Sequence, residues 1–217
     1  MQDFMELRQS IIDACLWLEE KGLIFGTWGN ISVRTDDGNI LITPSKLAYE
    51  KMLPEDLVLL SPDGKIVSGN RLPTSERDIH LGVMRKRSDV GAIIHMHSAY
   101  AMAAAARNSG VPAISEEMCQ MIGGAIPLSS KFVPSDMHKE LGKIVIDSVT
   151  DVNAILIRNH GPMCFGRDLE EVKVCCQVVE KSCKMYLHLL AGGEIQIISE
   201  ENVKRGRDYF VNGYGKS

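Results

Sequence analysis

No CxxC pair occurs among the six cysteines, so a zinc knuckle is not expected. Cys15, Cys119, Cys164, Cys175, Cys176 and Cys183 fall mostly in apolar, helix-like segments, as reduced buried thiols do. Long apolar runs are also missing. The N-terminal MQDFMELRQSIIDACLWLEEKGL places charge in every turn, which fits neither a secretory signal nor a membrane span and leads us to expect a cytoplasmic protein with no membrane partner. Neither sign of charge forms a block: 24 basic against 28 acidic residues leave a formal net charge of -4, which argues against nucleic acid as a partner. Internal repeats, low-complexity tracts and linkers are absent as well. The 217 residues are therefore expected to form one mixed α/β domain, 1–217, long enough to fold without a metal or disulfide staple. Any metal would then serve chemistry.

What is present reads as alternating elements. Ile11, Ile12, Cys15, Leu16 and Leu18 recur at helical spacing from about residue 3 to 21, and Gly22 stops the helix. NISVR, NILITP and LVLLSPDGKIV are short β-branched runs broken by DDG and PDG turns, the pattern of antiparallel strands. After the polar GNRLPTSERD, Thr74 or Ser75 is placed to cap a helix running through Glu76 to about Arg87. GAIIHMH predicts a strand, SAYAMAAAARNSG a helix and NAILIRNHG a second buried strand. The last clear helix starts at Asp168, which is spaced three from Glu171 as in a capping box, and ends at Gly192 and Gly193.

His95 and His97 carry the strongest chemical signal, because side chains two apart on a strand share a face and can share a metal. Two histidines alone fit equally well one packed and one exposed ring. His160 shifts that balance, since it follows the apolar AILI where RNHG turns out of the sheet, and three imidazoles with a fourth position open make a catalytic metal arrangement. His80, His138 and His188 lie on helix-like stretches and are assigned to packing or the surface. A second signal comes from GTWGNIS, ITPSK and LPTSE, three loops whose backbone N–H groups and Asn, Ser and Thr side chains can cradle a phosphate. Each loop alone is ordinary turn and cap chemistry. Glu76 follows the third of them, either as the favourable first-turn acid of a helix or, beside a metal and a phosphate, as a base.

GTWGNISVR, LITPSKLAYEKM, LPTSERDIH, the HMH pair and RNHG, in this order and spacing, resemble the class II aldolase/adducin family over nearly the whole chain. The resemblance implies a three-layer α/β/α sandwich around a mostly antiparallel sheet, assembled as a homotetramer with sites at subunit interfaces. It puts His95, His97 and His160 at the positions of metal ligands, for Zn2+ or another divalent ion. Gly29 and Asn30, Ser45 and Lys46, and Thr74 and Ser75 fall on phosphate-binding pairs. Glu76 falls on a catalytic carboxylate that can also touch the metal, and Tyr214 on a tail tyrosine that assists protonation at an aldehyde oxygen. The implied activity is reversible cleavage of a ketose 1-phosphate, L-fuculose 1-phosphate or a similar deoxy-ketose phosphate, to dihydroxyacetone phosphate and an aldehyde. Sister activities use the same metal and cradle with other acids and bases: pentulose-phosphate 4-epimerase, methylthioribulose-1-phosphate dehydratase and phosphosugar acid decarboxylase. A non-catalytic scaffold module of the adducin kind would lack the three histidines. Two positions depart from the pattern, Lys46 where the aldolases carry glycine and Glu116 where they carry a tyrosine.

Overall fold

The computed structural model describes residues 4–213. Met5–Glu20 forms α1, which buries Ile11, Ile12, Cys15 and Leu18 on one face. Gly22, at φ 67°, ends it in the left-handed region, and Leu23 N–H reaches back to the Leu18 carbonyl at 2.9 Å. The strands are β1 (Asn30–Arg34), β2 (Ile40–Ile42), β3 (Val58–Leu60), β4 (Ile66–Ser68), β5 (Ala92–His95), β6 (Ala154–Ile157) and β7 (Gly161–Gly166). They make one seven-stranded sheet in the order β4-β3-β2-β1-β5-β7-β6, with every neighbouring pair antiparallel.

Alternation along these strands divides the core into two layers, as a period of two requires. Ile31, Val33, Leu41, Leu59, Ile94, Leu156 and Cys164 face one way, against α1, α3 (Ala99–Ala105) and α5 (Leu169–Leu189). Ile40, Ile42, Val58, Leu60, Ile93, Ile155 and Phe165 face the other way, against α2 (Arg77–Lys86) and α4 (His138–Ser148). The result is the expected α/β/α sandwich. Burying both faces explains why the central strands read as continuous apolar runs. A Cβ on Gly82 of α2 would lie 2.1 Å from Ile146 Cδ1 of α4, so glycine is what lets these two helices approach.

Three elements were not anticipated. β7 follows directly on the RNHG turn and begins GP; Pro162 is tolerated at that strand's start, where its carbonyl still accepts from Met96 N–H at 3.2 Å. Then α4 follows a polar loop and buries only Leu141, Gly142 and Val145. The third, α6 (Glu200–Asn212), buries no residue fully and is strongly polar overall, with few apolar side chains on its inner face. Its N-terminus is capped by Ser199, and Arg207 fixes it by donating to the Gln120 and Met121 carbonyls at 2.7 and 3.1 Å. All six cysteines are free and buried, as expected. No helix among the described residues is long and apolar enough to cross a membrane.

Candidate functional site

The site lies where β1, β5 and the β6–β7 hairpin end beside the N-terminus of α2. His95 closes β5 and pairs with Asn30 of β1. His97 stands two residues on, just beyond the strand, where its N–H donates to the Leu23 carbonyl at 3.1 Å. His160 sits in the three-residue turn between β6 and β7, after Asn159, whose φ of 55° makes the tight reversal. A Cβ on Gly161 would press to 2.5 Å from the Met96 carbonyl, so glycine lets the hairpin close on the histidine strand.

Chain folding brings the three predicted imidazoles together, with candidate ligand nitrogens all within 4.8 Å of one another. His95 Nε2 and His97 Nε2 are 3.0 Å apart. Tetrahedral zinc with nitrogen ligands at about 2.0–2.1 Å would space them roughly 3.4 Å apart, so little adjustment is needed to seat a divalent cation. The Pro162 carbonyl accepts from His95 Nδ1–H at 2.9 Å, which fixes the tautomer that turns the Nε2 lone pair inward. The Glu76 carboxylate completes the cluster, with Oε2 3.6 Å from His95 Nε2 and Oε1 3.5 Å from His160 Nε2. Three imidazoles and a carboxylate form a donor set that fits a divalent metal.

Electrostatics favour the protonation state such a cation needs. Burial pulls His97 down to about 3, reinforced by His95 and His160, and pulls His160 down to about 4, reinforced by His95. Both rings are thus neutral at neutral pH. Burial by itself would push the Glu76 carboxyl up, but His95, His160, the Asn30 hydrogen bond and His80 outweigh it and hold the group well below the usual carboxylate range. An ionised carboxylate beside neutral imidazoles is the state that binds metal without first losing protons.

Glu76 does not act as a first-turn helix acid, and neither Thr74 nor Ser75 caps α2 as expected. The N-cap position belongs to Glu76 itself, with no side-chain capping bond. Its carboxylate points away from the helix amides and accepts from Asn30 Nδ2 at 2.7 Å. Thr74 Oγ1 instead accepts from the Glu76 N–H at 3.4 Å, inside the turn that presents the acid.

The three polar loops meet at the same place. Ser45 N–H donates to the Leu72 carbonyl at 2.9 Å and Thr74 N–H to the Thr43 carbonyl at 3.0 Å, stitching the loop after β2 to the loop before α2. Gly29 has φ 142°, and a Cβ there would lie 2.6 Å from Ile24 Cγ2, so the third loop also depends on glycine. Gly29, Asn30, Ser45, Lys46, Thr74, Ser75, Glu76, His97 and His160 thereby line one cavity of about 410 Å³, with His95 buried beneath it. That volume suits a small phosphorylated sugar. Glu76 is its only carboxylate among the described lining residues, and Lys46 its only ammonium.

Some lining residues had no sequence signal. Trp28 stacks its indole 6.3 Å from the His97 ring, and Ser135 arrives from the segment before α4. His80, assigned to packing or the surface, is fully buried and bonded to Asn30; its spacing of four from Glu76 on one helix face was the available clue. Glu116 does not line the cavity of the single chain and accepts instead from Gln120 at 3.1 Å. Tyr214 lies outside the described residues.

Residues 9–187 match the model of the class II aldolase and adducin N-terminal domain. The chain belongs to this family. Among relatives by sequence, an L-ribulose-5-phosphate 4-epimerase, UlaF, of Salmonella paratyphi C is 32% identical over 190 residues, 83% of each chain. A 5-deoxy-D-ribulose 1-phosphate aldolase of Bacillus thuringiensis serovar kurstaki is 31% identical over 212 residues, covering 96% of this chain and 97% of the other. Among solved structures, an L-fuculose 1-phosphate aldolase superposes with a TM-score of 0.87 at 27% identity, over 95% of this chain and 96% of that one. As a member of this metal-dependent family, the chain carries in His95, His97 and His160 a cluster that could hold the metal.

Proposed function

We propose that this protein is a metal-dependent lyase that reversibly cleaves a ketose 1-phosphate, L-fuculose 1-phosphate or a similar deoxy-ketose phosphate, to dihydroxyacetone phosphate and an aldehyde. The observation that carries the reading is the placement of Glu76, a single buried carboxylate within 3.6 Å of His95 and 3.5 Å of His160 and in the same cavity as the polar loops. One proton carrier beside a metal and an anion cradle is what cleavage next to a phosphorylated ketone asks for.

His95, His97 and His160 would hold the cation, taken as Zn2+ with other divalent ions allowed by the same ligands. When bound, the ion supplies Lewis acidity toward the carbonyl and neighbouring hydroxyl oxygens, so no Schiff-base lysine is needed. Gly29, Asn30, Ser45, Lys46, Thr74 and Ser75 bind the phosphate at C1 and so fix the reacting end of the sugar. Loss of the C4 hydroxyl proton lets the C3–C4 bond break, with its electron pair passing to C3 as an enediolate. Glu76 then delivers a proton to C3, completing dihydroxyacetone phosphate, and removes it in the synthetic direction. Tyr214 is assigned the proton at the aldehyde oxygen on the strength of the family resemblance. A homotetramer with sites at its interfaces is assigned on the strength of the family resemblance, and Trp28 and Leu72, 68% and 76% exposed, are apolar surface that such an interface would cover.

Epimerisation at C4 of a pentulose phosphate is the second reading, favoured by the likeness to the Salmonella epimerase. The aldolase relative matches nearly the full chain, including the segment beyond residue 187, and supports the first. Incubation of the metal-loaded protein with a panel of ketose 1-phosphates and pentulose 5-phosphates, with released dihydroxyacetone phosphate coupled to a reporter, separates the two. Release from the 1-phosphates is expected. Inversion at C4 of a 5-phosphate with no release would replace the aldolase reading by the epimerase one.

A further inference from the structure

A buried chain of hydrogen bonds runs behind Glu76, away from the metal cluster. Ser32 Oγ lies 2.7 Å from His80 Nδ1, His80 Nε2 lies 2.5 Å from Asn30 Oδ1, and Asn30 Nδ2 donates to Glu76 Oε2 at 2.7 Å. Ser32 and His80 are fully buried, and Asn30 is 7% exposed. Glu76 and His80 stand one helical turn apart at the start of α2, while Asn30 and Ser32 stand two apart on β1. The chain therefore ties the helix to the strand that lies beside His95.

Donor and acceptor counting fixes its direction. An ionised Glu76 only accepts, so the Asn30 NH2 must face it, which leaves Oδ1 facing His80. Oδ1 also only accepts, so His80 must carry its proton on Nε2. Nδ1 is then a lone pair, and Ser32 donates to it. Rotating the amide by half a turn would set Oδ1 against the carboxylate and NH2 against an N–H, breaking two buried bonds at once.

We propose that His80 is a positioning residue: through this chain it holds the Asn30 amide with both N–H groups toward the site, one on Glu76 and the other free for a phosphate oxygen. The consequence for catalysis rests on the role of Glu76 as proton carrier. A carboxylate held by one fixed donor keeps a defined orientation while its other oxygen faces the reacting carbon. Neither Ser32 nor His80 lines the cavity, so neither touches a substrate bound there, and their hydrogen-bonded route to Glu76 runs through Asn30.

The test compares His80→Phe, which keeps the ring volume but deletes both nitrogens, with His80→Gln, whose amide can still donate to Asn30 Oδ1. Two readouts are taken on metal-loaded protein, with metal content and melting temperature as controls. The first is the side-chain NH2 resonance pair of Asn30 in protein labelled with 15N at asparagine, assigned by its loss in Asn30→Ala. The pair should be displaced from free-amide values in the wild type because one proton is held by a carboxylate, move back toward those values in His80→Phe, and stay displaced in His80→Gln. The second is exchange of the dihydroxyacetone phosphate C3 proton with solvent deuterium. Its kcat should fall on the order of tenfold in His80→Phe, the scale of one lost buried hydrogen bond, and recover in His80→Gln. An unchanged Asn30 signal in folded His80→Phe overturns the proposal, as does a folded His80→Gln that behaves like His80→Phe. If His80→Phe does not fold, Ser32→Ala, which removes only the hydroxyl that donates to Nδ1, is read by the same two signals. Should the wild type show no proton exchange while the resonances respond as described, the chain stands and the assignment of Glu76 as proton carrier falls.

Discussion

Replacing Glu76 by glutamine separates its structural from its chemical role, because the two are of different size. Glutamine has the shape of glutamate. Its oxygen can keep the 2.7 Å bond from Asn30 Nδ2, and its NH2 can stand near His160 Nε2, 3.5 Å from the present Oε1. With His97 and His160 neutral above their lowered pKa values, what the native fold loses at neutral pH is chiefly the charge assistance of one hydrogen bond. That difference is about 1 kcal/mol, or roughly 2–4 °C in melting temperature for a chain of this length. Proton transfer loses far more, since an amide cannot carry the proton. A positioned acid or base contributes on the order of 10²–10⁴ in rate, about 2.7–5.5 kcal/mol of barrier. Exchange of the C3 proton of dihydroxyacetone phosphate with solvent deuterium isolates this step from carbon–carbon cleavage. Glu76→Gln should keep its fold and bind metal while exchange falls below a hundredth of the wild-type rate. Wild-type exchange in a folded, metal-loaded variant would refute the argument and assign the proton to another group.

The sequence made the histidine cluster legible because its residues obey local rules. His95 and His97 sit at the end of an apolar strand and His160 at the turn of another, and burial of the sheet on both faces leaves those strand ends as the place where polar side chains can gather. The three polar loops were readable only as a set, since their proximity depends on bonds such as Ser45 N–H to the Leu72 carbonyl, which no spacing encodes. Glu76 was legible only as a choice between two roles, since helix-terminus preference alone offers a first-turn acid and only Asn30 and the histidines, brought in by folding, draw its carboxylate inward. β7 was hidden by proline at its start, and α6 by having no fully buried residue. His80 illustrates a general limit. A histidine on an amphipathic helix looks the same whether its ring packs or relays a hydrogen bond, and only the strand opposite decides which.

Loss of one imidazole leaves the cluster incomplete, so His97→Ala should lose metal and activity together, as read by metal analysis of dialysed protein and by turnover. Ser75→Ala should raise KM for phosphorylated substrates and spare slow cleavage of unphosphorylated analogues; equal losses on both would indicate a disturbed loop. Burial lowers the folded pKa of His80 from 6.5 to about 3, so between these values the unfolded chain binds the extra proton and stability falls as the pH falls. Acid unfolding curves of His80→Gln should show a shallower decline over that window than the wild type. Lys46 offers the final prediction, in which stability and binding move in opposite directions. Its φ of 59° lies in the left-handed region, which costs a side-chain-bearing residue roughly 1–2 kcal/mol relative to glycine. Lys46→Gly relieves that strain and gives back about 0.4–1 kcal/mol through the greater freedom of the unfolded chain, so the melting temperature should hold or rise by a few degrees. The ammonium stands exposed at the cavity and has no ion-pair partner among the described residues, which leaves it available to an incoming anion. An exposed charge pair is worth about 0.2–1 kcal/mol, so its loss should raise KM for a ketose 1-phosphate up to roughly fivefold. Added salt screens the wild-type contact, and the gap between the two proteins should narrow as ionic strength rises. A lower melting temperature with an unchanged KM would show that the lysine packs the loop rather than meeting the phosphate.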